Sequence, residues 1–116
     1  MGDIHEESIT VRNFDYVVSW HGSNKRQVHI SRRISVPQQI SGSPDLIDEC
    51  KAACGSGVMV NSAESGKHVC VLRVSVGPVD RENTAAFDSK IADVERACEQ
   101  IVSLLNKKVD QKRGHP

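Results

Sequence analysis

The last third of the chain carries the most constraining pattern, a series of apolar residues spaced four, three, four, three and four positions apart. This spacing places all of them on one stripe of an α-helix. We predict a helix from about Thr84 to Lys108, and the heptad-like stripe indicates packing on a sheet, on a second subunit, or on both. The stripe consists of Phe87, Ile91, Val94, Cys98, Ile101 and Leu105.

Upstream, apolar and polar residues alternate with period two, which is typical of strands with one buried face. Strands are predicted over Phe14–Trp20 and Val28–Val36, and two more lie between positions 58 and 76. The first alternation extends upstream out of phase, which predicts a bulge near Asn13. The alternation therefore predicts two hairpins, one from the first two strands and one from the last two.

A short helix is predicted between the hairpins, where Ser43, Pro44 and Asp45 form a start signal and Gly55 an end signal. The resulting ββαββα order predicts an α+β fold, with two layers and an antiparallel sheet of about four strands. Both helices are expected on one face. A chain of 116 residues fits one domain, predicted over positions 1–108, followed by a flexible basic tail over 109–116.

Charge is balanced overall, with 15 Lys and Arg against 15 Asp and Glu. This balance argues against a general polyanion binder, because such proteins gain affinity from many neutralised phosphates. One segment departs from it, since positions 25–36 contain four basic residues, one histidine and no acid. We predict that this basic hairpin binds an anion, with a nearby indole available for stacking. The predicted ligand-binding residues are Lys25, Arg26, His29, Arg32, Arg33 and Trp20.

Alternation divides these residues between two faces of the strand. His29 and Arg33 fall on the polar face, whereas Arg32 falls among apolar residues, where an unpaired charge is costly. A simpler interpretation is that the arginines pair with Asp15, Glu6 or Glu7 of the neighbouring strand, or only make an edge of the sheet soluble. Both interpretations stay open at the level of sequence.

The four cysteines have apolar neighbours and are predicted to be buried, reduced thiols without metal: Cys50, Cys54, Cys70 and Cys98. The chain contains no recognisable catalytic or cofactor-binding motif, so we expect neither enzyme activity nor a cofactor. Its acidic N-terminus is unlike a secretory signal and its apolar runs are too short for a membrane span. A cytoplasmic protein without membrane contact is expected.

These features favour a non-enzymatic binding protein that holds a small phosphate-bearing ligand, such as a nucleotide or a cyclic oligonucleotide. The small core and the regular helix stripe predict a homodimer or a higher homo-oligomer. One alternative is a β-ribbon module that binds DNA or RNA. Another is an adaptor or inhibitor that docks on an acidic protein surface.

Overall fold

The computed structural model describes residues 3–40, 45–55, 57–65 and 70–113. Five strands form one antiparallel sheet in the order β1-β2-β3-β5-β4. The α+β class is therefore confirmed, with five strands where about four were predicted. The elements are β1 (Ile4–Val11), β2 (Phe14–His21), β3 (Gln27–Ser35), a 3-10 turn (Gln38–Ile40), α1 (Leu46–Cys54), β4 (Met59–Ser65), β5 (Cys70–Asp80) and α2 (Thr84–Arg113).

The additional strand arises at Arg12 and Asn13, where the sequence predicted a bulge. Both residues have positive φ, at 49° and 69°. Two such residues between paired strands form a tight hairpin turn. The first hairpin is therefore β1 and β2, and the shift in phase reflects a change of strand.

The two helices cover one face of the sheet. The predicted stripe of α2 is buried from Ile91 to Leu105, and α2 packs on β5, β3 and α1. The opposing strands contribute fully buried side chains such as Val18, Ile30 and Val74. The chain's own sheet therefore covers the stripe from Ile91 to Leu105, whereas Phe87 at its start is only partly buried.

The last helix is longer than predicted and includes Val109–Arg113, which were assigned to a flexible tail. The Lys108 ammonium forms an ion pair with Glu49 of α1. Further on, the Lys112 ammonium donates a hydrogen bond to the carbonyl of Gln39. These contacts attach the last turns of α2 to the body of the protein.

The short helix begins at Leu46 and is followed by Gly55, whose positive φ of 77° agrees with the predicted end signal. Ser43 and Pro44, predicted as part of its start, lie outside the described residues. No helix in the described part of the chain is both long and apolar enough to span a membrane.

Candidate functional site on the open face of the sheet

The face of the sheet opposite the helices is not covered by any element of the described chain. A groove of about 470 Å³ crosses it, reaching from β1 to β4. Its size lies within the range of small-molecule sites. We call this groove and its bordering side chains the open-face groove.

Short side chains in the central strands create the groove. Ser19, Ser31 and Ser75 lie along its floor, and the last two are 6% and 7% exposed although no element covers them. The Ser31 hydroxyl donates to the backbone carbonyl of Val17 at 3.4 Å, within the sheet.

Two arginines are register partners at one end of the groove. Arg73 of β5 lines it, and Arg33 of β3 is the residue directly opposite Arg73 in the strand register. Side chains in such a pair begin only about 5 Å apart, and like charges there repel each other. Neither guanidinium forms an ion pair with a side chain that the structure describes. The Arg73 Nε atom is buried without a hydrogen-bond partner.

The other end of the groove combines an acid with imidazoles. Glu6, Ser19 and His29 lie side by side on β1, β2 and β3, and His21 completes this end. Glu6 is exposed, and no described residue forms an ion pair or hydrogen bond with its side chain. The groove is therefore cationic at one end, and at the other it offers a carboxylate beside groups that donate and accept hydrogen bonds.

The position of His29 depends on Gly77 in the neighbouring strand. The register between β3 and β5 shifts at this point, and Gly77 has a φ of 143°. A Cβ atom at Gly77 would lie 2.6 Å from His29 Nδ1 and 3.0 Å from His29 Cα. Only glycine permits this close approach of β5 to the imidazole.

The basic hairpin predicted from the sequence does not form a single site. Arg26 donates two parallel hydrogen bonds to Asp80, from Nε to Oδ1 at 3.1 Å and from Nη2 to Oδ2 at 3.0 Å. This fork, together with backbone hydrogen bonding, holds the pKa of Asp80 below its ordinary value. A second acid is also close, since Glu82 Oε2 lies 3.7 Å from Arg26 Nε. Acids therefore neutralise Arg26, while Lys25 is exposed beside it.

Arg32 lies on the helix side of the sheet, as its apolar neighbours predicted. Its guanidinium carbon is 4.0 Å from the ring centroid of Phe14 and 6.0 Å from that of Tyr16. Aromatic faces attract a guanidinium and lower the cost of its partial burial. Arg32 and Arg33 therefore point to opposite faces, so they cannot bind one small anion together.

Trp20 also lies on the helix side, away from His29 and Arg33. Its ring stacks with His5 at a centroid distance of 5.7 Å and an interplanar angle of 22°. The Arg81 guanidinium carbon is 5.8 Å from the same ring. The indole predicted to stack on a ligand is therefore in contact with side chains of its own chain.

The thiols lie at the interface of the helices with the sheet. Burial raises the pKa of Cys50 and of Cys98 to about 11. Cys54 and Cys70 are partly buried, and all four are free. Within the described ranges, no group of three or more His, Cys, Asp or Glu is arranged to hold a metal ion.

Fold and site together define a small α+β domain with one helix-covered sheet face and one open polar face. Comparisons with family models, with curated proteins and with solved structures find no match for the chain. The chemistry of the open-face groove is therefore the basis for a functional conclusion.

Sequence reasoning named His29 and Arg33 of this groove region as ligand-binding residues. It did not name Arg73, and it considered Glu6 only as a pairing partner of the basic hairpin. The alternation of β5 already placed Arg73 on the polar face. The sequence alone did not reveal that β5 pairs with β3, because the two strands are separated by α1 and β4.

Proposed function

We propose that this protein binds a small phosphate-bearing ligand in the open-face groove and does not act as an enzyme. Arg33 and Arg73 hold the phosphate. The observation that carries this proposal is the direct opposition of two arginines on neighbouring strands without an acid among the described side chains. An anion between them converts a repulsive pair into a binding site.

Phosphate suits this pair because a guanidinium presents parallel N–H donors that match two phosphate oxygens. Asn61 is opposite Arg73 on the other side, in β4, and adds a neutral amide donor. Ser75 follows on the groove floor and provides a hydroxyl. Four donor side chains from three strands are thus neighbours on the open face.

The distribution of charge favours a discrete ligand over a polymer. Among the described side chains of this face, Asp15 accepts a hydrogen bond from Thr10 at 2.9 Å, and Asp80 is paired with Arg26. A net charge of zero argues against a protein that gains its affinity from many neutralised phosphates. A single cluster of donors suits one phosphate group better than a nucleic-acid backbone.

Isothermal titration calorimetry with inorganic pyrophosphate and with ATP, in a phosphate-free buffer, tests the proposal. Replacing both arginines, Arg33→Ala with Arg73→Ala, should weaken binding of either probe at least tenfold. Loss of one charged hydrogen bond costs about 1.5–3 kcal/mol, and each 1.4 kcal/mol is tenfold in affinity.

The matched control removes two cations from the outer surface of α2, in the variant Arg96→Ala with Lys107→Ala. This control should bind both probes as the parent does. Absence of binding by the parent, or equal weakening in both double variants, contradicts the proposal. Circular dichroism of each variant confirms that the fold is intact.

Self-association and a cytoplasmic location stay predictions from the sequence. Light scattering measures the first over a range of protein concentrations, with and without pyrophosphate. A change in mass on adding pyrophosphate would place the groove at a subunit interface.

A further inference from the structure

The end of the open-face groove that contains Glu6 differs chemically from the end that contains Arg73. This difference indicates which ligand the groove selects. Glu6 lies in β1 and Arg73 in β5, with β2 and β3 between them. Their positions differ by three strand spacings, about 14 Å, and by four residues along a strand, about 13 Å. Together these offsets make the diagonal between the two backbone positions about 19 Å, and the Glu6 and Arg73 side chains both line the groove along it.

We infer that the ligand is a guanine nucleotide lying along this diagonal, with its phosphates at Arg33 and Arg73 and its base at Glu6. This inference rests on the proposed function, because it assigns the remainder of a ligand whose phosphate the arginines hold. The groove volume of about 470 Å³ suits one nucleotide.

Glu6 determines the preference for guanine. An ionised carboxylate only accepts hydrogen bonds, and its two oxygens can accept from two adjacent donors. Guanine presents such a pair at N1–H and the exocyclic N2 amine, whereas adenine presents an amine beside ring nitrogens that only accept. The adenine edge would therefore leave one carboxylate oxygen facing an acceptor, which is repulsive.

Groups next to Glu6 complete the environment of a base. Ser19 is the register partner of Glu6 and His29 that of Ser19, so a hydroxyl and an imidazole lie beside the carboxylate. Ile4 follows on the same face and is 65% exposed. An exposed apolar side chain at the edge of a polar groove gives a base ring a surface to cover.

Calorimetry with GDP, ADP and pyrophosphate tests the inference. The parent should bind GDP at least tenfold more tightly than ADP, because a polar site discriminates strongly against a ligand that leaves its groups unpaired. Glu6→Gln should reduce this preference to less than threefold and leave pyrophosphate binding unchanged. An amide offers one acceptor and one donor, and so no longer favours guanine.

Glu7→Gln is the matched control, since Glu7 is the adjacent residue of β1 and its side chain pairs with Arg81 on the opposite face. This variant should keep the parent's preference for GDP. Equal binding of GDP and ADP by the parent, or an undiminished preference in Glu6→Gln, overturns the inference. If pyrophosphate binds and depends on the two arginines, the proposed function survives that result. If pyrophosphate does not bind, both proposals fail.

Discussion

The contact of Arg32 with Phe14 supports a prediction about stability that separates the two faces of β3. Truncating Arg32 to Ala removes the guanidinium from above the ring, where the separation is 4.0 Å. Phe14 is 41% exposed, so this contact is worth about 0.5–1 kcal/mol, the range for cation–π pairs near the surface. The substitution also removes methylene groups that cover apolar surface, each worth up to about 0.8 kcal/mol when fully buried.

These contributions predict that Arg32→Ala lowers the free energy of unfolding by about 1–2 kcal/mol, even though it removes a charge from an apolar face. Arg32→Met keeps most of the stem and should cost only about 0.5–1 kcal/mol. Urea denaturation measures both variants. At a slope of about 1.5 kcal/mol per molar urea, the midpoint of Arg32→Ala falls by about 1 M.

A double-mutant cycle with Phe14→Leu isolates the contact itself. The expected coupling energy between Arg32 and Phe14 is about 0.5–1 kcal/mol. Binding of pyrophosphate should be the same in Arg32→Ala as in the parent, since the side chain is on the helix side of the sheet. A higher urea midpoint in Arg32→Ala, a coupling near zero, or a tenfold loss of pyrophosphate affinity would refute this account.

Three further predictions concern other positions. Gly77→Ala should lower the free energy of unfolding by about 1–3 kcal/mol, measured by urea denaturation, because the new Cβ would lie 2.6 Å from His29 Nδ1 at a φ of 143°. Cys50 and Cys98 should react slowly with a thiol reagent at pH 8 in the folded protein. The free energy of unfolding should also decrease between pH 9 and about 11. In this range the thiols of the unfolded chain ionise, whereas the thiols of Cys50 and Cys98 stay protonated in the folded protein. Asp80→Asn should reduce the loss of stability in acid, measured by thermal unfolding. Because the pKa of Asp80 is lower in the folded protein, its carboxylate contributes to the free energy of unfolding at pH values above its ordinary pKa of 3.8. This contribution is lost as the pH falls through the pKa of Asp80 in the folded protein.

Local periodicity was sufficient to predict most elements of the fold. The stripe from Ile91 to Leu105 specified a helix with one buried side, and alternation in Gln27–Ser35 assigned each residue to a face. The prediction failed at Arg12 and Asn13, because neither residue is glycine and a two-residue turn there requires positive φ at both.

The candidate site was harder to predict from the sequence than the fold, because it depends on contacts between strands that are far apart along the chain. The neutralisation of Arg26 requires Asp80, which is 54 positions away, and the opposition of Arg33 and Arg73 joins two residues that are 40 positions apart. A run of basic residues shows where charge is concentrated along the chain. It does not show which charges meet an acid after folding.

The same long-range pairing also bears on the alternative that β2 and β3 form a DNA-binding ribbon. Ribbons that enter a groove of duplex DNA present two strands on their own, whereas β2 and β3 are interior strands flanked by β1 and β5. The connection between β2 and β3 runs from Gly22 to Arg26, and Asp80 neutralises the last of these residues. A nucleic-acid complex made by so few free cations would have a shallow dependence on salt and low affinity. On the open face, Arg33 and Arg73 instead lie opposite each other without an ion pair to any side chain that the structure describes, and short serine side chains form the floor of the adjoining groove. This arrangement suits a ligand small enough to lie within the groove.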